Sequence, residues 1–110
     1  MLFRSKQQLF FSDAENELNE SSDQDLLRRL MRRIEDSPEM RKCFYVNEKY
    51  SPGALVIKMK YKQKGKKIQC RILFNENNVN VGELRVSDQN GDWDALEQAI
   101  LKAIQNRQCR

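Results

Sequence analysis

The stretch ALVIKMKYKQKGKKIQCRILF (residues 54–74) alternates apolar and polar side chains on both sides of a Lys-Gly-Lys break. In its first half Leu55, Ile57, Met59 and Tyr61 share one side, and Lys58, Lys60 and Lys62 share the other, because successive strand residues point to opposite faces. After Gly65 the apolar side returns as Ile68, Cys70, Ile72 and Phe74, with Gln69 and Arg71 opposite. Period two on both sides of a glycine turn predicts an antiparallel hairpin with one oily and one basic face. Leu73 interrupts the polar side, so that face is not wholly hydrophilic.

Working outward, a third strand is predicted from Val79 to Val86. Its apolar parity shifts from Val79 and Val81 to Leu84 and Val86, and Gly82 between them marks a bulge. SDQNGD (87–92) then turns into a closing helix with Trp93, Leu96, Ile100, Ala103 and Ile104 on one stripe. Asp92 and Asp94 suit the positive end of that helix. On the other side of the hairpin, Leu26, Leu27, Leu30, Met31 and Ile34 recur at helical spacing over 23–36. Ser22, three positions before Asp25, makes a weak capping-box opening, and Ser37-Pro38 supplies the stop. A short turn through Glu39–Lys42 leads into CFYV (43–46), a candidate fourth strand, and NEKYSPG (47–53) is a loop.

The first eleven residues hold Leu2, Phe3, Leu9, Phe10 and Phe11, which suit an edge strand, a short helix or a docking segment equally. Residues 12–21 have few apolar side chains and read as a linker. The expected organisation is therefore an apolar start and acidic lead-in over 1–21, followed by an α+β domain over 22–110. That domain is a helix, three antiparallel strands and a second helix, with both helices on the oily sheet face. Leu55, Ile57, Met59, Ile68, Cys70, Ile72, Trp93, Leu96 and Ile100 should share its core.

The chain has 110 residues, 39% hydrophobic and 33% charged, one domain's worth with a single modest core. No apolar run approaches the roughly 20 residues that span a bilayer. MLFRSKQQLFF lacks a continuous apolar region and a small-residue cleavage site, so no secretory signal is expected. Cys43, Cys70 and Cys109 are odd in number and widely spaced. Reduced thiols in an intracellular compartment, cytoplasmic or nuclear, fit that pattern.

Histidine is absent, which removes histidine bases, histidine-dependent nucleophiles and histidine metal ligands together. The cysteine spacing offers no zinc site, and no glycine-rich phosphate loop is present. Asp88, Asn90, Asp92 and Asp94 alternate like calcium-loop ligands, but the sixth and twelfth positions hold Trp93 and Ala99 instead of glycine and glutamate. A turn followed by a helix cap explains them better. The sequence thus predicts a non-enzymatic module with no cofactor and no metal.

The net charge of +4 conceals a strong asymmetry. Residues 12–26 carry six acids and no base, and residues 49–75 carry eight bases and no acid. The two segments could attract each other or serve separate partners. Lys58, Lys60, Lys62 and Arg71, with Lys64, Lys66 and Lys67 at the turn, concentrate seven positive charges on one hairpin. Phosphates of RNA or DNA reward such clustering through counterion release. Tyr61 and Phe74 fall on the core side, so contact is expected with the backbone and not by base stacking. Anionic lipid is a third candidate, and a solvated face that guards against aggregation is the plain alternative. The main rival is a regulatory adaptor that binds protein through a sheet edge, a helix surface or the apolar Phe10 and Phe11. Ser22, Ser37 and Ser51 suit turns and caps, and could also accept regulatory phosphate.

The run from ALVIKMKY (54–61) to DALEQAILKAI (94–104) resembles the small signal-recognition-particle subunits that hold the Alu portion of the RNA. That resemblance implies a helix–three strands–helix order with a basic sheet. Double-stranded-RNA-binding domains share the order, but SDQNGDWD (87–94) is acidic where they carry a basic loop. GELRVSDQNGDWDALEQAI (82–100) is similar to the closing strand and helix of the kinase-associated lipid- and autoinhibition-binding domain. No functional residue carries over from these resemblances.

Overall fold

The computed structural model describes residues 6–108. In chain order the elements are β1 (Gln7–Asn16), β2 (Ser21–Ser22), α1 (Gln24–Asp36), α2 (Pro38–Cys43), β3 (Phe44–Val46), β4 (Leu55–Lys64), β5 (Lys67–Glu76), β6 (Val79–Asp88) and α3 (Trp93–Gln108). Leu2, Phe3 and Cys109, named above, lie outside the described residues.

The hairpin forms as its periodicity requires. β4 and β5 pair antiparallel from Val56↔Asn75 to Lys64↔Lys67. Gly65 sits at the first central position of the two-residue turn with φ 60°, a left-handed conformation that glycine adopts without a Cβ penalty. β6 adds antiparallel to β5, and the register slips where Phe74↔Gly82 is followed by Asn75↔Asn80. Val81 is the extra residue, so the bulge expected beside Gly82 is present. Asn77 and Asn78 both have positive φ in the β5–β6 turn, as a type I′ turn requires.

The α+β class holds, but the simple helix–strands–helix order does not. β1 runs parallel to β4 from Leu9↔Leu55 to Asn16↔Tyr61, and its other edge takes β3 parallel and β2 antiparallel. The sheet is therefore mixed and six-stranded, with order β2-β1-β4-β5-β6 and β3 beside β1. Residues 12–21, expected as a linker, instead finish β1, turn, and enter β2. Phe11 is 5% exposed in the core of this same domain, which corrects its reading as a partner anchor. Phe10 is half-buried on the opposite face, edge-on to Tyr50 with centroids 6.0 Å apart.

One buried cluster joins the sheet to the helices. Leu26, Leu27, Leu30 and Ile34 of α1, Met40 of α2, and Leu96, Ile100, Leu101 and Ile104 of α3 close over the apolar side of β1, β4 and β5. All the expected core residues belong to it, with Trp93 half-buried against its margin. Trp93 meets Tyr61 edge to face at 5.0 Å. Asp23, and not Ser22, caps α1 by accepting from the Leu26 amide at 3.0 Å. The other Asp23 oxygen accepts from the Tyr61 hydroxyl at 2.8 Å. Ser37 ends α1 and caps α2, accepting from the Met40 amide at 3.3 Å. Asp92 accepts from the Ala95 amide at 3.1 Å at the start of α3, and Asp88 accepts from the amides of Asn90 and Asp92. Asp88 and Asp92 therefore serve turn and cap, while Asp94 pairs with Arg33.

Cys70 is free and buried, and burial pushes its thiol up to about 12. Among the described residues, no helix is long and apolar enough to cross a membrane.

Candidate anion-binding face

The sheet side away from the helices carries the residues that the sequence singled out, and the strand registers set its rows. Asp13 lies beside Lys58, Lys58 beside Leu73, and Leu73 beside Glu83. The next row is Glu15, Lys60, Arg71 and Arg85. Beyond it come Lys62, Gln69 and Ser87. Glu17 flanks them at the end of β1, its backbone amide donating to the Tyr61 carbonyl at 2.8 Å. The acidic and basic segments thus lie side by side in one sheet, and acids interleave the lysine face.

The consequence is partial neutralisation. Lys60 pairs with Glu15 at 3.8 Å. Arg71 donates from Nη2 to Glu17 Oε1 at 2.8 Å, and its Nη1 lies 3.7 Å from Glu83. Arg85 also reaches Glu83, at 3.5 Å. Lys58, Lys62, Lys64, Lys66 and Lys67 make no ion pair among the described residues. Lys58 and Lys62 are half-buried along their stems, and the three turn lysines are exposed. The uncompensated charge therefore collects at the turn end of the hairpin, with Lys58 set apart beside Asp13.

A concavity of about 460 Å³ opens on this face over Arg71. Lys60, Lys62, Arg71 and Arg85 line it against one acid, Glu17. Gln69 and Ser87 supply neutral hydrogen-bonding groups at its edge. The hydrogen bond from Arg71 holds the Glu17 carboxyl below its ordinary value against the opposing effect of burial, and the charges of Arg71, Lys62 and Lys60 add to the lowering. The same contact raises Arg71, which is cationic in any case. What the hollow offers chemically is a convergent set of N–H donors, suited to an oxyanion.

The other end of this sheet face is occupied. Gln8 is 8% exposed, and its Oε1 accepts from Ser51 Oγ at 2.8 Å and from the Tyr45 hydroxyl at 3.2 Å. Ser51 and Tyr50 thus bring the 47–53 loop against the Phe10 end, and the lysine end stays open. Ser22 Oγ donates to Asp13 at 2.6 Å.

Sequence reasoning found every base on this face except Arg85, and missed the acids that meet them. One signal for the acids was present. Asp13, Glu15 and Glu17 recur at every second position, as Lys58, Lys60 and Lys62 do. Two strands of opposite charge with the same period are candidates to lie adjacent.

No family model, no curated protein and no solved structure matches this chain.

Proposed function

We propose that the protein is a non-enzymatic binding module that holds the phosphate backbone of RNA or DNA on its open sheet face. The observation that carries this reading is the concavity at Arg71, where four bases converge against one acid beside a turn with three further lysines. Lys58, Lys60, Lys62 and Lys64 stand on alternate residues of one strand and so span roughly 20 Å. A row of that length faces about six nucleotide steps of one strand. Backbone contact needs no aromatic platform, and this face has none at its lysine end. The bases here neutralise phosphates, and the interleaved acids set how many of them are free to do so.

The test is a salt series of fluorescence anisotropy with labelled RNA and DNA oligonucleotides, single-stranded and duplex. Changing Lys62, Lys64, Lys66 and Lys67 together to glutamine should weaken binding and flatten its salt dependence by about one unit of slope per lost phosphate contact. Stability should change by no more than about 0.5 kcal/mol per site. Lys58→Gln and Lys60→Gln should matter less, because Asp13 and Glu15 lie beside those two lysines in the sheet. Lys102→Gln, exposed on α3, is the control. If the unaltered protein binds none of the oligonucleotides with salt-sensitive affinity, the reading fails.

A further inference from the structure

Glu17 is the one acid in the concavity, and its position is that of a ligand. Its carboxylate rests on the Arg71 guanidinium at 2.8 Å, where the field of Lys60 and Lys62 also reaches it. A phosphate oxygen would seek the same donors. The backbone beneath it is fixed: the Glu17 amide donates to Tyr61, the Leu18 amide to Asn16 Oδ1 at 3.1 Å, and the Asn19 amide to the Asn16 carbonyl at 3.3 Å. The side chain is half-buried and free on its solvent side. Withdrawing the carboxylate therefore needs only side-chain rotation, with β1 left in the sheet.

We infer that Glu17 is an internal competitor for the Arg71 subsite, which an incoming phosphate displaces. This deepens the nucleic-acid reading of the open face and rests on it. Glu17 lowers the intrinsic affinity of the module and adds selectivity. A single weak anion does not repay the exchange at Arg71. A phosphodiester chain that also engages Lys62 and the turn lysines does. Glu15 provides the internal comparison, because it carries the same charge two residues earlier, pairs with Lys60 and does not line the concavity.

The experiment compares Glu17→Gln with Glu15→Gln in the intact chain, using the same labelled RNA and DNA oligonucleotides. Glu17→Gln keeps the length and shape of the side chain and frees Arg71 of a carboxylate. Affinity should rise about fivefold at low salt, the upper factor that one exposed ion pair carries, and the gain should shrink as salt rises. Glu15→Gln should gain less than about twofold, and adding Arg71→Gln to Glu17→Gln should abolish the gain. Equal gains from the two glutamate variants would mean that net charge alone is at work, and would overturn the inference while leaving the nucleic-acid reading intact. Unchanged affinity in Glu17→Gln would do the same. Absence of binding by every variant would overturn both.

Discussion

Replacing Glu97 by glutamine should destabilise the fold by about 1–2 kcal/mol, and removing its two arginines should cost about 3–5 kcal/mol. The asymmetry follows from where each group sits. The Glu97 side chain is 3% exposed between α1 and α3, accepting from Arg29 Nε at 3.0 Å and from Arg33 Nε at 3.2 Å. The arginine side chains are 47% and 32% exposed. When the acid loses its charge, water solvates the guanidinium groups, and the glutamine oxygen still accepts one hydrogen bond. When both bases become methionine, the helix packing survives but a carboxylate stays buried without a cation. Arg33 also pairs with Asp94, an exposed acid whose loss of contact adds little. Arg29→Met and Arg33→Met should each cost less than half of the pair, because the remaining arginine still serves Glu97. Urea denaturation followed through Trp93, the sole tryptophan, reads all four variants. If the double arginine variant proves no less stable than Glu97→Gln, the account of Glu97 as a buried anion held by two solvated cations is wrong.

Two further outcomes test the core. Ile57→Ala and Ile72→Ala, both at fully buried positions that lie beside Phe74 and Met59 respectively in the hairpin, should each cost about 2–5 kcal/mol in the same assay, and near-neutral effects at both would refute the β4–β5 register. Tyr61 is pushed up to about 12, first by burial and then by its hydrogen bond to Asp23. Its phenol is an acid raised above its unfolded value. The stability it contributes is therefore complete below about pH 10 and declines as pH rises through about 12. A phenolate absorbance titration should show one component with that late midpoint, and Tyr61→Phe should remove it. Glu17 runs the other way. Its carboxyl is lowered by Arg71, so their contact should persist through mildly acid solution and loosen only as pH falls below the ordinary value of 4.5.

The parts of the fold that were legible in the sequence are those whose signal is local. The β4–β5 hairpin declares itself by alternation across a glycine, β6 by a parity slip at Gly82, and α1 and α3 by apolar stripes. β1 was not legible, for two physical reasons. A register shift between Phe11 and Asp13 breaks its alternation, so Leu9 and Phe11 do not run in step with Ala14. Its pairing with β4 is also parallel and distant, and nothing in either segment alone specifies a partner. Missing β1 hid half of the candidate site. The lysines were visible as a row, but their acidic neighbours come from a segment whose composition reads as linker. Gly82 was found for the right local reason, yet it serves a second end. A Cβ there would strike the Arg107 guanidinium, which lies 4.9 Å from the Phe74 ring centre and donates to the Val81 carbonyl. Arg107 is therefore tied to the sheet, unlike exposed Lys102.

The placement of β1 also sets a schedule for synthesis. Leu9 pairs with Leu55 across 46 positions of chain, so at roughly 5–20 residues per second β1 waits about 2–9 s on the ribosome for its central partner. Until then LFF (9–11) lacks its β4 partner, and an apolar strand with an open edge is the kind of segment that recruits other chains. Asp13, Glu15 and Glu17 have the placement of gatekeepers, charges that directly follow an apolar strand. They repel like copies of the same segment and leave it attractive to the lysine strand still to come. The residues that temper the finished surface would thus first have kept its founding strand from pairing with the wrong molecule.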